Sequence, residues 1–355
     1  MAKETSIFKS VANLLGHAES GVALTREDII TLLKLPGNYT SALFAAADRV
    51  RKEQVGDEIL LRGIIEFSNI CERNCLYCGL RKGNTKLSRY RMSEDEILAT
   101  AQGIKKACIN TVVLQSGEDS FYNACSICRL IERIRRETDL VITLSIGERN
   151  YDDYKSFKQA GANRYLLKHE ITNTAIYKYL RPGCKWEDRI RCLIWIKELG
   201  FETGTGNMVG LPGQAVEVLA DDLLFMKQLD ADMLGIGPFI AHLDTPLAGI
   251  GNGDLDLTLR VLAVSRLITR NVNIPATTAL AALHPQGRLR ALQAGANVIM
   301  PDFTPEIYRS LYDIYPGRKD VGSATKIIGQ LEKEIHSIGK TINYSIGQRQ
   351  ISKSV

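Results

Sequence analysis

No apolar run in this sequence reaches the ~18 residues that a membrane span requires, so no transmembrane segment is expected. The first residues, Met1-Ala2-Lys3-Glu4-Thr5, lack the basic-then-apolar plan of a secretory signal. Charge of one sign is also scarce. Lys and Arg number 45 against 40 Asp and Glu, a formal excess of +5 over 355 residues. That excess is too small for a nucleic-acid footprint, and the basic cluster Arg133-Ile134-Arg135-Arg136 reads as a solvated helix face. Cysteine is missing from the whole stretch after Cys192. With 45% hydrophobic and 24% charged residues the usage is that of a globular protein, which excludes disordered and fibrous classes.

Where cysteine does occur it is concentrated. All eight, Cys71, Cys75, Cys78, Cys108, Cys125, Cys128, Cys184 and Cys192, fall between positions 71 and 192. A chain this long buries enough core to need no disulfide staples, and a stapling framework would spread along it. A reducing, cytoplasmic setting is therefore expected, with some of these thiols serving as metal ligands.

Residues 1–55 mix polar and apolar positions at helical spacing, and Thr25 with Glu27 and Asp28 forms a helix start signal. Short β-branched runs then recur: Leu60–Phe67, Thr111–Gln115, Val141–Ser145, Arg164–Lys168, Thr203–Val209, Met233–Pro238, Ala276–Leu280 and Asn297–Pro301. Amphipathic stretches separate them, which is the alternation of parallel βαβ units. An open doubly wound sheet explains that alternation equally well, but no Gly-x-Gly-x-x-Gly follows the first strand. Eight units close a barrel. The segments Gln159-Ala160-Gly161-Ala162-Asn163 and Gln293-Ala294-Gly295-Ala296-Asn297 repeat one helix-to-strand junction, each with Gly where a helix C-cap needs it. The expected fold is α/β, a complete (βα)8 TIM-type barrel over 56–320. An N-terminal helical extension over 1–55 precedes it, and a short C-terminal helical tail over 321–355 packs on it.

The loop after the first strand reads Cys71-Glu72-Arg73-Asn74-Cys75-Leu76-Tyr77-Cys78. It falls on the catalytic face of a barrel. Three thiolates so close can hold three corners of an iron–sulfur cubane, leaving one iron open to a ligand. Structural zinc wants a fourth ligand. Of the five His only His169 or His242 could complete such a site in space, so zinc stays an alternative.

This spacing, with an aromatic before the third Cys, resembles the motif of the radical S-adenosylmethionine (radical SAM) enzymes. Further stretches resemble the HydE family of [FeFe]-hydrogenase maturases within the biotin synthase-like group. They are Ile65-Glu66-Phe67-Ser68-Asn69, Arg89-Tyr90-Arg91-Met92, Gln115-Ser116-Gly117-Glu118-Asp119 and Arg164-Tyr165-Leu166-Leu167-Lys168-His169-Glu170. Met208-Val209-Gly210-Leu211-Pro212-Gly213-Gln214, Gly235-Ile236-Gly237-Pro238-Phe239-Ile240 and Ile274-Pro275-Ala276-Thr277-Thr278-Ala279 continue the likeness, which runs over 25–317.

The resemblance implies one [4Fe–4S] cluster on Cys71, Cys75 and Cys78, with S-adenosylmethionine chelating the open iron through its amino and carboxylate groups. One electron then cleaves the sulfonium bond to methionine and a 5′-deoxyadenosyl radical. It further implies cofactor contacts from Ser116, Gly117 and Glu118 to the methionyl amine and from Tyr77 near adenine. Glu170 would take the ribose hydroxyls, Arg189 the methionyl carboxylate, and Met233 would line the adenine pocket. The plainer alternatives are a βα turn, loop packing, surface ion pairs and core packing. Thr143, Ser145, Thr277 and Thr278 would face a substrate cavity. Lys168 stands where the family more usually has Arg, and Lys lacks the rigid fork.

The implied function is a cytoplasmic maturase for the [FeFe]-hydrogenase H-cluster, acting on a small iron carbonyl–cyanide species that carries cysteine. Sister maturases and a one-electron donor would be its partners, with no nucleic acid and no membrane. Two rivals stand beside it: a carbon-skeleton mutase or sulfur-inserting enzyme of the methylornithine synthase or biotin synthase type, and a non-enzymatic iron–sulfur carrier. Cys125 and Cys128, with Cys108, Cys184 and Cys192, are read as packing residues.

Overall fold

The computed structural model describes residues 2–317 and 324–349. Three helices, Ala2–Glu19, Arg26–Leu33 and Gly37–Val55, precede the first strand. The second starts where the sequence places it. The Thr25 hydroxyl accepts from Asp28 N at 3.2 Å while the Asp28 carboxylate accepts from Thr25 N at 2.9 Å.

Six strands then form one parallel sheet in chain order: β1 (Gly63–Ser68), β2 (Thr111–Ser116), β3 (Val141–Ser145), β4 (Arg164–Leu166), β5 (Glu202–Thr205) and β6 (Met233–Leu234). Helices such as Glu94–Lys106, Ala124–Thr138 and Tyr151–Ala160 connect them. Alternation along each strand divides the fold into two environments. Ile65, Phe67, Val112, Leu114, Ile142 and Leu144 join the hydrophobic core. Their neighbours Ile64, Glu66, Val113, Gln115 and Thr143 line a central cavity instead. Each of these first three strands therefore carries both the packing and the site.

The two repeated junctions behave alike. Gly161 and Gly295 both sit at φ +108°, a conformation that suits glycine. Asn163 and Asn297 each accept a backbone N–H from a neighbouring strand segment, Ile142 N at 3.0 Å and Ile274 N at 2.8 Å.

Three strand expectations need correction, and a fourth, Leu60–Phe67, divides at Arg62 into Ile59–Leu61 and Gly63–Ser68. Ala276–Leu280 is not a strand, because Thr278–Leu283 is a helix and the extended backbone lies earlier, with bridges at Asn273 and Pro275. The run Ala279-Leu280-Ala281-Ala282-Leu283 consists of strong helix formers, which outweighs the threonines before it. Thr203–Val209 and Met233–Pro238 each break in two, and Met208–Val209 pairs with Gly237–Pro238 as a separate ladder. The break comes at Gly206, where a Cβ would lie 2.2 Å from the Gly235 carbonyl oxygen, so the two backbones touch there. Beneath the sheet, a short strand Ile59–Leu61 pairs in parallel with Val298–Ile299 and with Ile342–Asn343 of the tail.

Arg266 fastens the last of this architecture. It is fully buried on the helix Leu255–Thr269 and donates to Gly295 O at 2.9 Å, Val272 O at 2.8 Å and Asn297 Oδ1 at 3.0 Å. Burial, reinforced by repulsion from Arg51, pushes its pKa down to about 9. Arg266→Met should leave the Gly295 and Val272 carbonyls without this donor and cost about 3–5 kcal/mol. Urea denaturation should show a lower midpoint at unchanged slope, and an unshifted midpoint would contradict the role.

Candidate active site

The cysteine loop follows β1 and is held from several sides. Leu76 N donates to Leu180 O at 2.8 Å and Glu72 N to Glu118 O at 2.9 Å. Arg89 donates to four carbonyls, those of Asn69, Leu80, Arg81 and Asn84, which fixes the loop's return. Gly117 is required by contact: a Cβ there would lie 2.2 Å from Ile70 O and 2.7 Å from Cys71 Cβ.

Cys71, Cys75 and Cys78 are all free thiols, Cys75 buried and the other two half-buried. Burial pushes all three up, with Cys75 at about 11, and for Cys75 and Cys78 the neighbouring thiols add to the rise. Protons must leave when these sulfurs become ligands. Among the described residues no three His, Cys, Asp or Glu side chains gather as ligands of a single metal ion. Among the described residues neither His that zinc would recruit joins the thiols in a ligand set. His169 Nδ1 lies 3.1 Å from Thr205 Oγ1, and His242 Nε2 lies 2.9 Å from Asp313 Oδ2. Three thiols without a fourth protein ligand fit a cluster that keeps one iron open.

Beside the thiols lies a charged cleft. Glu118, at the end of β2, meets Arg73 Nε at 2.5 Å, with Arg181 and Arg189 each at 3.7 Å. Glu148, after β3, meets Arg189 Nε at 2.9 Å and Arg73 at 3.3 Å. Glu170, after β4, lies 3.6 Å from Lys168 and 3.9 Å from Arg181. Burial works against the Glu118 carboxylate, but Arg189, Arg181 and Arg73 together hold its pKa below the usual range. Glu170 has φ +72°, rare for a residue with a side chain, and its Oε2 is buried with no hydrogen-bond partner.

The cleft joins the central cavity of about 270 Å3, with Tyr77, Cys78, Lys168 and Glu170 bordering both. Ser116, Gly117, Glu118, Ser145 and Arg189 lie in the cleft, and Thr143, Thr277 and Thr278 line the cavity. Thr143 Oγ1 is buried without a hydrogen-bond partner, whereas Thr278 Oγ1 bonds to Tyr315 Oη. Met233 lines the same cavity as Tyr77 and Glu170. It lies on the cavity wall with its Sδ 2.8 Å from Arg62 Nη1, outside the cleft of Glu118 and Arg189. Met208 lines the cavity with Glu170 and Tyr77. Arg189 is 3% exposed, so a surface ion pair does not describe it.

Sequence reasoning missed Arg73, Arg181, Glu148 and Arg62. Glu148 had a signal: Ser145-Ile146-Gly147-Glu148 repeats, at the next strand, the Gly-Glu ending of Ser116-Gly117-Glu118. Gly147, at φ +78°, presses on Glu118, whose Cγ would lie 1.9 Å from a Cβ there. Two cysteines also differ from the packing reading. Cys125 is exposed on the first turn of its helix, whose buried face is Ile127, Leu130, Ile131 and Ile134. Cys108 is exposed in a left-handed turn after the helix Glu94–Lys106, at φ 62°.

A Radical SAM superfamily model matches residues 65–226. The [FeFe] hydrogenase maturase subunit HydE of Thermotoga maritima is 50% identical over 280 residues, spanning 79% of this chain and 80% of that protein. The crystal structure of methylornithine synthase (PylB) superposes with TM-score 0.82 at 26% identity, covering 93% of this chain and 97% of that one. The [FeFe]-hydrogenase maturase HydG of Carboxydothermus hydrogenoformans shares the fold, with TM-score 0.78 at 19% identity over 93% of this chain and 79% of its own. No helix among the described residues is long and apolar enough to cross a membrane. The motif, the cleft and these likenesses agree: the chain belongs to the radical SAM superfamily, in the family of the hydrogenase maturase HydE.

Proposed function

We propose that this protein is a cytoplasmic maturase of [FeFe] hydrogenase, which uses radical chemistry on a small sulfur-containing, iron carbonyl–cyanide substrate inside its barrel. The observation that carries this reading is the 50% identity to HydE over four-fifths of both chains. Radical SAM enzymes bind a [4Fe–4S] cluster and S-adenosylmethionine, and together these supply a 5′-deoxyadenosyl radical by one-electron cleavage. An iron–sulfur carrier would have no use for an enclosed cavity next to its thiols. The mutase reading draws on the likeness to methylornithine synthase, but that rests on 26% identity.

In this reading Cys71, Cys75 and Cys78 hold the cluster. Glu118, with Ser116 and Gly117, receives the methionyl amine, and Arg189 offers its fork to the carboxylate. Glu170, whose Oε2 has no hydrogen-bond partner, accepts from the ribose, while Tyr77 lies near the adenine and Met233 lines its pocket. Thr143, Ser145, Lys168, Thr277 and Thr278 orient the substrate. Lys168, 3.6 Å from Glu170, contributes a point charge rather than a fork. Ile314 and Tyr315 add apolar wall to the same cavity. The partners are sister maturases and a one-electron donor.

The reading also takes the fold as a complete (βα)8 barrel over 56–320, with the helices of 1–55 and the tail of 321–355 packed on it; residues 1, 318–323 and 350–355 of these spans lie outside the described residues. Parallel bridges Met233↔Asn273, Pro275↔Val298 and Ile64↔Asp302 support closure of the ring.

Anaerobically reconstituted and reduced, the protein should convert S-adenosylmethionine to 5′-deoxyadenosine, and Cys75→Ser should abolish the product on chromatography. Undiminished cleavage in that variant would overturn the ligand assignment. Arg189→Ala should weaken S-adenosylmethionine binding by roughly 1.5–3 kcal/mol in isothermal titration, the size of a charged hydrogen bond. Iron analysis should give about four irons per chain, the content of one cubane. Cys125→Ala with Cys128→Ala should leave that count and the reduced-cluster EPR signal unchanged; lost iron would make the pair a second metal site.

A further inference from the structure

Arg181 stands at the centre of the cleft without touching any of its carboxylates closely. It ends the helix Thr174–Leu180, where its N–H donates to Tyr177 O at 2.9 Å. The adjoining Leu180 carbonyl receives Leu76 N, so this backbone is pinned to the cysteine loop between Cys75 and Tyr77. The side chain is buried, and its Nη1 donates to Tyr77 Oη at 3.2 Å. Nη1 also lies 3.9 Å from Glu170 Oε1, while Nη2 lies 3.7 Å from Glu118 Oε1 and 3.8 Å from Glu148 Oε1. Its Nε is buried with no hydrogen-bond partner.

Three carboxylates from the ends of three different strands thus face one planar cation, each at ion-pair rather than hydrogen-bond range. Arg73 and Arg189 neutralise Glu118 and Glu148, but among the described residues Glu170 has only Lys168 and Arg181 as cations within 4.0 Å. With Arg181 removed, the acids would repel one another in a poorly screened site and Tyr77 would lose its donor. A lysine ammonium is a single point and cannot reach Tyr77 and acids on two sides at once.

We propose that Arg181 is a positioning residue: its guanidinium sets Glu118, Glu170 and Tyr77 at the spacing in which they receive S-adenosylmethionine. The proposal rests on the reading of those three as cofactor contacts. Because Arg181 acts through them, its removal should matter only while they are present.

A double-mutant cycle tests this by isothermal titration of S-adenosylmethionine into the cluster-loaded, oxidised protein, which does not turn over. Arg181→Gln should raise Kd about tenfold. Glu170→Gln should raise it too, and the double variant should bind no more weakly than about the weaker single variant. Wild-type affinity in Arg181→Gln, or single effects that multiply in the double variant, would overturn the proposal. Should Arg181→Gln fail to fold, Arg181→Lys serves in its place. That variant should keep the wild-type iron content and EPR signal yet bind more weakly, and wild-type binding by it would equally overturn the positioning role. A wild-type protein that takes up its iron but binds no S-adenosylmethionine would instead refute the cofactor reading on which the proposal stands.

Discussion

Buried charge is expensive unless it is paired, and this fold sets three half-buried glutamates around two buried arginines beside three thiols. Much of the surrounding structure exists to keep those charges compensated and in place. Glu118, Glu148 and Glu170 come from the ends of consecutive strands, so the parallel sheet sets their spacing. Arg181 and Arg189 come from the helical segment that follows the third of them. Gly117 and Gly147 are empty of side chains where the cysteine loop and Glu118 press against the strand ends. The charges are local, but what aligns them is the whole sheet.

Below the cleft the character changes. The cavity is walled mainly by apolar side chains, with a few hydroxyls, Lys168, and Arg62 at the far end. Burial, reinforced by repulsion from Arg164, pushes Arg62 down to about 9. The tail closes this end. Gly347 O accepts from Arg62 at 3.1 Å and from Asn273 at 3.0 Å, and Ile346 O accepts from Arg164 at 2.9 Å. A reactive radical is tolerable only in a space from which water and stray hydrogen donors are excluded. The thiols and the charged cleft lie at one end of that space and a stopper of backbone carbonyls at the other.

How much of this could be read in the sequence depended on how local the signal was. The three cysteines announced themselves by spacing, and β1 to β3 by β-branched runs, because both signals lie within a few residues. The glycines of the two Gln-Ala-Gly-Ala-Asn junctions were equally legible, since a left-handed φ has few other candidates. The seventh strand was misplaced because Thr277 and Thr278 favour strands while the alanines and leucines after them make a helix. Arg181 and Arg62 were invisible for a different reason. An arginine in a helix-end or strand-start sequence looks like any solvated cation until folding removes its water. The floor of the cavity left no trace at all, because its acceptors are main-chain carbonyls, which every residue has.

The site serves maturation of [FeFe] hydrogenase rather than some other radical reaction. The most direct measurement is hydrogen evolution by an [FeFe] hydrogenase produced in cells that hold the other maturation proteins but lack HydE, with this chain supplied. Restored hydrogen evolution that disappears with Cys75→Ser is the result predicted. Inactive hydrogenase, although the supplied protein still cleaves S-adenosylmethionine after purification, would contradict the account and leave a radical enzyme with a different substrate.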